Sequence, residues 1–587
     1  MAKWFVSAKR ADFNSISEKY GISPVLARII RNRDVVEDSD IEKYLNGKME
    51  DLYSPCLLKD MDKAVGIIKE KIQANKKIRV IGDYDVDGIC ATFILKRGLE
   101  KCGAVVDTVI PHRIKDGYGI NELLIKEAYE EGIDTIVTCD NGIAAYEQLK
   151  YAASLGITCI VTDHHEVPYE MTEEGKQYRI PPAAAVIDPK QEDCLYPYKN
   201  ICGGVVAWKL VTRLWEDDSV ALEDRREILE FAGIATVCDV MELLDENRII
   251  VKEALKSMEN SVNLGLRALI RVHDLKSEKL SAYHLGFVIG PCFNATGRLD
   301  TAQRTLELLE CKNEREAILM ATQLKNLNES RKEMTEEGVE EAILEIEEKH
   351  LEEDKVMVVY LPKCHESLAG IIAGRIREKY YKPVFILTKA EECVKGSGRS
   401  IESYSMYEEL TKCKELLLKF GGHKLAAGLS LEENNIEALR QVLNQNCTLT
   451  KEDMEEKILI DVPMPLSYVT NEFLEELEIL EPFGTGNPKP VFAQKDIMFL
   501  SIRIMGKNKN MAKFSVEDET GKRFQLVLFR HLDKFLEDIK EKYGQDTWER
   551  FLNQNRNSGV KMNVIYYPSF NEYMGKKEIQ YVIQNWS

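Results

Sequence analysis

Residues 77–188 alternate between short apolar stretches and helix-like stretches, and this alternation restricts the fold more than any other feature. Five segments have the length and composition of buried strands: IRVIG, AVVDTVIP, DTIVTCD, ITCIVTD and AAAVID. GICATFILKRGLEKCG and AAYEQLKYAASLG lie between them and are typical of helices. Strands that alternate with helices form a mostly parallel sheet with helices on both faces. We therefore predict an α/β fold for this part of the chain.

Acidic and histidine side chains follow three of these strands directly. They are Asp83, Asp85 and Asp87 after the first strand, Asp140 after DTIVTC, and Asp163, His164 and His165 after ITCIVT. Sites in open parallel sheets form outside the carboxyl ends of the strands, so we expect these side chains to lie at one edge. Asp239, in ATVCDVMEL, is a further acidic candidate.

Such a cluster needs a counter-charge, because neighbouring carboxylates repel one another and raise each other's pKa. Mixed Asp and His ligands suit Mn²⁺, and carboxylate-rich sites also suit Mg²⁺. Two such ions about 3.5–4 Å apart can hold the attacking and leaving oxygens of a phosphodiester. The pattern therefore predicts a two-metal site for phosphodiester hydrolysis.

Each of these residues also has a purely structural interpretation. Asp87 and Asp140 both precede helix-like segments and could cap them. The two histidines could form an ordinary polar turn. The repetition of the pattern at three successive strand ends favours the metal site over these alternatives.

Four segments, VIGDYDVDGI, CDNGI, TDHHE and TVCDV, resemble the metal-site motifs of the DHH phosphoesterase superfamily. GPCFNATGRL, HESLAGIIAGR, GSGRS, GGHKLAAG and LEPFGTGNPKPVF resemble its RecJ subfamily, and the resemblance runs from about residue 60 to the end. It implies an exonuclease that degrades single-stranded DNA from 5′ to 3′ to mononucleotides, in DNA repair and recombination.

The resemblance assigns roles to the residues that match its motifs. It implies metal ligation by Asp85, Asp87, Asp140, His164 and Asp239. Asp83 would ligate or support the metal site, and His165 would contact the scissile phosphate or help transfer a proton. Asp163 would orient a histidine, as carboxylates behind metal ligands do, or simply cap a turn.

A second group of residues suggests a pocket for a terminal phosphate. These substrate-binding candidates are Arg113, Asn294, Arg298, Ser397, Arg399 and His423. Arginine presents a planar fork of donors that matches phosphate oxygens, and glycines beside Ser397 allow the backbone to approach a ligand. The alternatives are surface salt bridges for Arg113 and Arg399 and a structural role for His423.

Two positions depart from the family pattern. The resemblance leads us to expect an arginine after Pro291, where Cys292 stands, and an aromatic residue before His365, where Cys364 stands. Both changes are expected to alter contacts in the substrate channel and to leave the metal ligands unaffected.

A chain of 587 residues is long enough for three or four domains of about 150 residues. The apolar residues of GISPVLARIIRNR have helical spacing and predict a helix near the N-terminus. The predicted organisation is a helical lead-in at 1–60, a DHH catalytic domain at 61–245, a helical connector carrying NATGR at 246–352, a smaller α/β domain of DHHA1 type at 353–450, and an OB-like barrel at 451–587.

The net charge of −19 excludes a broadly basic DNA-binding surface, so binding requires local clusters of cations. The C-terminal segment supplies basic residues, namely Arg503, Lys507, Lys509, Lys513, Lys522 and Arg523, interleaved with Phe514, Phe524, Phe529, Tyr566 and Tyr573. Aromatic stacking beside a basic groove holds single strands, although we expect at least half of these aromatics to be core. We therefore expect a narrow basic channel between two α/β domains and the barrel.

The 14 cysteines are scattered without a C-x-x-C pair, which favours reduced thiols in a cytoplasmic protein. We expect a monomer without a signal peptide or a membrane span. Its expected substrate is single-stranded DNA with a 5′ end, and its expected partners are a single-strand-binding protein and a helicase. The alternative functions are a DHH phosphodiesterase of short oligonucleotides or cyclic dinucleotides, and a catalytically silent DNA-binding scaffold.

Overall fold

The computed structural model describes residues 3–113, 115–173, 175–216, 220–506, 509–553, 559–573 and 576–587. The chain forms two compact units. The barrel unit comprises Met1–Asp51, Glu242–Ile249 and Glu456–Ser587, and the two-sheet unit comprises Leu52–Met241 and Ile250–Glu455.

The N-terminal segment folds as one short strand and three helices: β1 (Lys3–Val6), α1 (Phe13–Tyr20), α2 (Pro24–Asn32) and α3 (Asp38–Asn46). Helix α2 begins after Ser23, whose hydroxyl accepts a hydrogen bond from the Leu26 N–H, and Pro24 occupies its first turn. Its apolar residues are buried, which confirms the helix predicted in GISPVLARIIRNR.

The predicted parallel sheet is present in the two-sheet unit. The elements are α4 (Met61–Gln73), β2 (Lys77–Ile81), α5 (Val86–Lys101), β3 (Val105–Val109), α6 (Glu122–Glu130), β4 (Thr135–Cys139), α7 (Tyr146–Ser154), β5 (Thr158–Thr162), β6 (Tyr169–Thr172), β7 (Gly175–Tyr178) and β8 (Ala185–Ile187). Strands β3, β2, β4, β5 and β8 are neighbours in that order and all run parallel. Because all five strands are parallel, the residues that follow β2 and β4 lie at the same edge of the sheet. The strand order changes direction at β2, so this edge has a crevice between β2 and β4.

Helices dominate the next part of the chain. They are α8 (Gly203–Leu214), α9 (Leu222–Cys238), α10 (Asp245–Met258), α11 (Leu264–Val272), α12 (Ala282–His284), α13 (Gly290–Leu299), α14 (Gln303–Glu310) and α15 (Glu314–Glu348). A π-helical segment, Leu285–Ile289, joins α12 to α13. The 35 residues of α15 confirm a helical connector. Among the described residues, no helix combines the length and the apolar character needed to cross a bilayer.

A second sheet completes the two-sheet unit. Its elements are β9 (Met357–Tyr360), α16 (Ala369–Tyr380), β10 (Val384–Lys389), β11 (Val394–Arg399), α17 (Met406–Thr411), β12 (Lys419–Gly422), β13 (Ala426–Leu431) and α18 (Ile436–Asn446). The strand order is β12, β13, β11, β10, β9, and β9 with β10 is the parallel pair.

The C-terminal part is a closed barrel. Its elements are β14 (Lys457–Ile460), β15 (Val462–Pro463), α19 (Asn471–Glu478), β16 (Phe492–Met505), β17 (Met511–Glu517), β18 (Arg523–Leu528), α20 (Leu532–Tyr543), α21 (Gln545–Leu552), β19 (Lys561–Tyr573) and β20 (Lys576–Trp586). Pairing of β16 with both β17 and β19 closes the ring of five strands. Strand β1 pairs in parallel with β14, so the N-terminal segment belongs to the barrel unit.

Most of the barrel aromatics proposed for stacking are core residues. Phe514, Phe524 and Tyr566 are buried, whereas Phe529 is 43% exposed. Lys507 lies outside the described residues, as does the side chain of Tyr573. Arg503, Lys509, Lys522 and Arg523 are exposed and Lys513 is half-buried. Of the barrel residues proposed to bind a single strand, the exposed cations and Phe529 are therefore the ones that are accessible.

A buried ion pair fastens the N-terminal helices to the barrel strands. The Arg33 guanidinium donates to both carboxylate oxygens of Asp461, at 2.7 and 3.1 Å. The same carboxylate accepts from Asn32 at 3.1 Å and from the Val491 N–H at 3.0 Å. The carboxylate of Asp461 thus accepts hydrogen bonds from Arg33, Asn32 and the main chain of Val491 together.

Asp461→Ala is expected to destabilise the barrel unit by about 3 kcal/mol, because it leaves the Arg33 charge buried and unpaired. Urea unfolding, with hydrogen exchange to localise the change to the barrel unit, measures the effect. Lys19→Ala removes an exposed pair with Asp38 in the same unit and should leave the transition near that of the wild type. Equal stability of the two variants would contradict the role assigned to Asp461.

Candidate metal centre and phosphate pocket

The residues predicted from the strand ends do meet at one edge of the parallel sheet. Asp85 caps α5 and accepts from the Gly88 N–H at 3.0 Å. Asp87, the second residue of α5, accepts from the N–H groups of Gly203 and Gly204 at 2.7 Å each. The capping alternative for Asp87 and Asp140 is therefore wrong, because Asp85 is the N-cap of α5 and Ala145 that of α7.

The two glycines at the start of α8 are required by this close approach. A Cβ on Gly203 would lie 2.8 Å from the Asp140 Cβ, and one on Gly204 would lie 3.0 Å from Asp87 Oδ1. The glycines also present N–H groups from a helix N-terminus, which stabilise an anionic cluster. Their position explains how a cluster of carboxylates is tolerated in a buried place.

His164 lies at the centre of the cluster. Its Nε2 is 3.1 Å from Asp140 Oδ1, 3.5 Å from Asp87 Oδ2 and 3.7 Å from Asp239 Oδ2. Asp140 has a left-handed backbone with φ of 59°, and Asp239 caps the C-terminus of α9. One imidazole nitrogen therefore faces three carboxylates, the arrangement of a shared ligand set.

Burial and mutual repulsion oppose ionisation in this cluster. Burial, and then the charge of neighbouring aspartates, raises the pKa of Asp83 and Asp140 well above the usual range. The same causes raise the pKa of Asp85 and bring that of Asp239 to about 8. Divalent cations reverse this balance, because they favour the ionised carboxylates.

The donor set fits such cations. Three overlapping groups have ligand atoms within 4.8 Å of one another: Asp83 with Asp85 and Asp140, Asp87 with His164 and Asp239, and Asp140 with His164 and His165. Asp83 Oδ1, His164 Nδ1 and Asp239 Oδ2 are buried and accept or donate no hydrogen bond among the described residues. Carboxylate and imidazole donors shared between adjacent groups suit two ions of the Mn²⁺ or Mg²⁺ kind.

Asp163 holds His165 rather than joining the ligand groups. Its Oδ1 is 2.7 Å from His165 Nδ1, and its carboxylate also accepts from the Ile143 N–H at 2.9 Å. Burial opposes ionisation of Asp163, but the hydrogen bond and charge of His165 outweigh it and lower its pKa. Burial also disfavours the charged form of His165, but the hydrogen bond that its Nδ1 donates to Asp163 outweighs this and raises the pKa of His165 to about 9. Asp163 thus orients His165 and also stabilises the turn at Ile143.

Tyr118 lies in this site, although no sequence motif marks it. Its hydroxyl donates to the Asp140 carbonyl at 2.8 Å and lies 3.4 Å from the His165 ring nitrogens. Tyr84 packs edge-on against Tyr118, and the Arg113 guanidinium lies 4.9 Å from the centroid of Tyr84. A continuous row of side chains therefore connects the metal centre to Arg113.

The predicted phosphate pocket lies beside the metal centre. A cavity of about 280 Å³ is lined by Asp83, Asp85, Asp87, Asp239 and Asn294, among others. A neighbouring cavity of about 320 Å³ is lined by residues that include Ser367, Ser397 and Arg399. Tyr84, Arg113 and Arg298 line both cavities, so the two cavities share one wall.

The arginines of this pocket have no acidic partners. Among the described residues, Arg113, Arg298 and Arg399 form no ion pair, which removes the surface salt-bridge interpretation of Arg113 and Arg399. Burial, and then repulsion by neighbouring arginines, lowers the pKa of Arg298 to about 9 and lowers that of Arg399. In an acidic protein, such unpaired and half-buried cations indicate an anion site.

Sequence reasoning missed two further residues. Asp188 follows β8, is fully buried, and has a pKa raised to about 8 by burial and by the charge of Asp163. The strand-end rule could have selected it. Arg331 on α15 contributes to the repulsion on Arg298 and donates to Asn328 at 3.0 Å. No motif marks Arg331.

Other candidates lie apart from the two cavities. His423 is exposed at the turn between β12 and β13 and lines neither cavity, so its role in substrate binding stays a prediction. Cys292 is buried with its sulfur 3.2 Å from His273 Nε2, and Cys364 accepts from Thr388 through its carbonyl. Neither cysteine lines a cavity.

Comparisons with known proteins agree with this architecture. Family models match the DHH family N-terminal domain at residues 77–236, the DHHA1 domain at 353–448 and the RecJ OB domain at 460–585. The matches fall inside the predicted catalytic, smaller α/β and barrel segments. The predicted sequence of α/β, helical connector, second α/β and barrel is thereby confirmed.

Several relatives that match most of the chain are named RecJ. The chain is 33% identical to the single-stranded-DNA-specific exonuclease RecJ of Bacillus subtilis over 88% of its length, spanning 64% of that relative. It is 31% identical to the RecJ of Escherichia coli, covering 96% of both chains. The crystal structure of Thermus thermophilus RecJ in complex with Mn²⁺ matches with a TM-score of 0.80 at 26% identity, covering 100% of this chain and 79% of that one.

Proposed function

The chain belongs to the RecJ family, and we propose that it is a metal-dependent exonuclease that removes mononucleotides from the 5′ end of single-stranded DNA. Its relatives in Bacillus subtilis and Escherichia coli bear the name of single-stranded-DNA-specific exonuclease. A role in DNA repair and recombination is part of the same proposal.

The wall shared by the two cavities is the main support for this function. Arg113 and Arg298 border both the carboxylate cluster and the cavity that holds Ser397 and Arg399. A terminal phosphate bound to the arginines therefore lies next to the linkage presented to the carboxylates. This neighbourhood would account for cleavage one nucleotide from an end, because a terminal phosphate carries more negative charge than an internal phosphodiester and suits a pocket lined by several arginines.

The metal site is proposed to consist of Asp85, Asp87, Asp140, His164 and Asp239, with Asp83 as ligand or support. Mn²⁺ or Mg²⁺ held there would polarise the scissile phosphate and make a water nucleophilic near neutral pH. The protein positions these ligands through the strand ends, the cap of α5 and the two N–H groups at the start of α8.

The remaining residues bind and orient the substrate. His165, held by Asp163 with a raised pKa, is proposed to contact the scissile phosphate or to help transfer a proton. Arg113, Arg298 and Arg399 supply planar forks of donors for a terminal phosphate, with Ser397 beside Arg399 at 3.2 Å. Asn294, on the wall of the metal cavity, completes the set as a polar contact to the first nucleotide.

Digestion of 5′- and 3′-labelled single strands tests the proposal. We expect early release of labelled mononucleotide from the 5′-labelled strand alone, with Mn²⁺ or Mg²⁺ and not with a chelator. Cleavage of dinucleotides alone would instead favour the short-oligonucleotide phosphodiesterase. An absence of metal-dependent turnover would favour the silent scaffold.

Further parts of the proposal concern the protein's surroundings. A single-strand-binding protein and a helicase are proposed partners, because one holds and the other generates single strands. We also propose a monomer acting in the cytoplasm. Sedimentation of the purified protein, with and without a single-stranded oligonucleotide, tests the monomer.

A further inference from the structure

Two aromatic rings are stacked on each other in solvent near the metal centre. Tyr283 and Phe287 are 58% and 67% exposed, and their rings are stacked with centroids 5.1 Å apart and an interplanar angle of 23°. They lie in α12 and in the π-helical segment that joins it to α13. An exposed stacked pair marks a binding surface more often than a scattered apolar residue does.

The backbone that carries these rings also carries the pocket residues. Pro291 has no N–H to donate to the carbonyl four residues earlier, and the ladder is π-helical just before it. Along the continuous helix, one stripe of residues follows at spacings of three and four: Tyr283, Phe287, Pro291, Asn294 and Arg298. The aromatic pair and the two pocket residues therefore share one face of the helix.

Two glycines bring this helix against the end of α9. A Cβ on Gly290 would lie 2.4 Å from Cys238 Sγ, and one on Gly286 would lie 3.4 Å from Val237 Cγ1. Val237 and Cys238 directly precede the candidate ligand Asp239. The aromatic segment is thus fastened beside the metal centre, and eleven residues at 1.5 Å each put Phe287 about 16 Å along the helix from Arg298.

We propose that Tyr283 and Phe287 form a stacking platform for bases of the substrate strand, a few nucleotides beyond the linkage that is cleaved. The proposal rests on the proposed function, which sets the strand's first phosphate at Arg298 and Arg399. Bases are the favoured occupant because the platform continues the face that carries Asn294 and Arg298. Stacking on an aromatic ring accepts any base, as a nuclease without sequence preference requires.

Binding of 5′-phosphorylated 20-nucleotide strands in the presence of a chelator tests the platform. Phe287→Ala is expected to weaken binding about 10-fold, and Tyr283→Ala by a similar factor, as loss of one stacked base does. Phe287→Trp should restore tight binding, whereas Phe287→Leu, which is apolar but not aromatic, should not. Tyr129→Ala, at an exposed tyrosine of α6, is the matched control and should bind as the wild type does.

A second strand separates stacking from other contacts. Abasic residues at roughly the third to sixth nucleotides, the span reached at about 3.4 Å per stacked nucleotide, should weaken wild-type binding about 10-fold. The same abasic stretch should add little to the loss in the double variant Tyr283→Ala/Phe287→Ala, because both changes remove the same stacking interactions. A full additional loss in that variant would overturn the platform.

Failure of the platform and failure of the proposed function are distinguishable. Wild-type protein that releases no mononucleotide with Mn²⁺ contradicts the exonuclease, whatever the binding results. Wild-type protein that releases mononucleotides, together with a Phe287→Ala variant that binds intact and abasic strands as the wild type does, contradicts the platform alone. Thermal midpoints near the wild-type value are expected for all variants, since both rings are exposed.

Discussion

Asp140→Asn is expected to slow nucleotide release by about 10³-fold or more while leaving the protein folded. Asp140 belongs to two of the three ligand groups and lies 3.1 Å from His164 Nε2, so its loss disturbs both candidate metal positions. Asparagine is the matched replacement, because it tolerates the left-handed backbone at φ 59° better than alanine. The change also removes one charge from a cluster of mutually repelling carboxylates. Without metal, the variant should therefore be at least as stable as the wild type.

Two measurements on the same sample check this expectation. The rate of mononucleotide release gives the loss of activity, and the rise in thermal midpoint on Mn²⁺ addition reports binding to the folded state. The wild type should show a clear rise and Asp140→Asn a much smaller one. Asp274→Asn, an exposed aspartate with φ 53° outside the cluster, should behave as the wild type. Full activity of Asp140→Asn would refute the metal mechanism.

The parallel sheet and most of the metal centre were predictable because both follow from the order of residues along the chain. A buried strand followed directly by an aspartate places that carboxylate at a known edge, as for Asp140 and Asp163, and Asp83 lies two residues after β2. The rule needs no knowledge of side-chain packing. It also applied to Asp188, which a fuller use of the rule would have included.

Contacts made by the backbone were not predictable in the same way. Gly203 and Gly204 hold Asp87 through their N–H groups, yet they lie more than a hundred residues away and match no charged pattern. Tyr118 reaches the centre by donating to the Asp140 carbonyl. Such contacts depend on how segments distant in sequence pack together, and all residue types other than proline offer the same main-chain groups.

The sequence pattern also could not predict which part of the chain the first fifty residues pack against. Helix α2 was predicted from its apolar spacing, but its partner was not. Strand β1 pairs with β14, and Arg33 binds Asp461 more than four hundred residues later. Both strands have four residues, too few to carry a register signal of their own.

Arg399→Ala is expected to reduce the preference for a 5′-phosphorylated end over a 5′-hydroxyl end by about 100-fold, measured as a ratio of kcat/KM values. Arg399 is half-buried, lacks an ion pair among the described residues, and lies beside Ser397 in the second cavity. A phosphate there would meet a fork of donors that water does not replace. The loss should affect the phosphorylated strand far more than the hydroxyl strand, since only the former makes the contact.

Arg399→Lys distinguishes charge from shape at this position. Lysine keeps the positive charge but not the planar fork, so an intermediate preference is expected. Arg271→Ala, at an exposed arginine on α11, is the control and should keep the full preference. If Arg399→Ala keeps the wild-type preference, Arg399 is not part of the phosphate pocket. If it loses activity equally on both strands, Arg399 contacts the scissile linkage and not the end. The ratio therefore assigns this arginine to one cavity or the other.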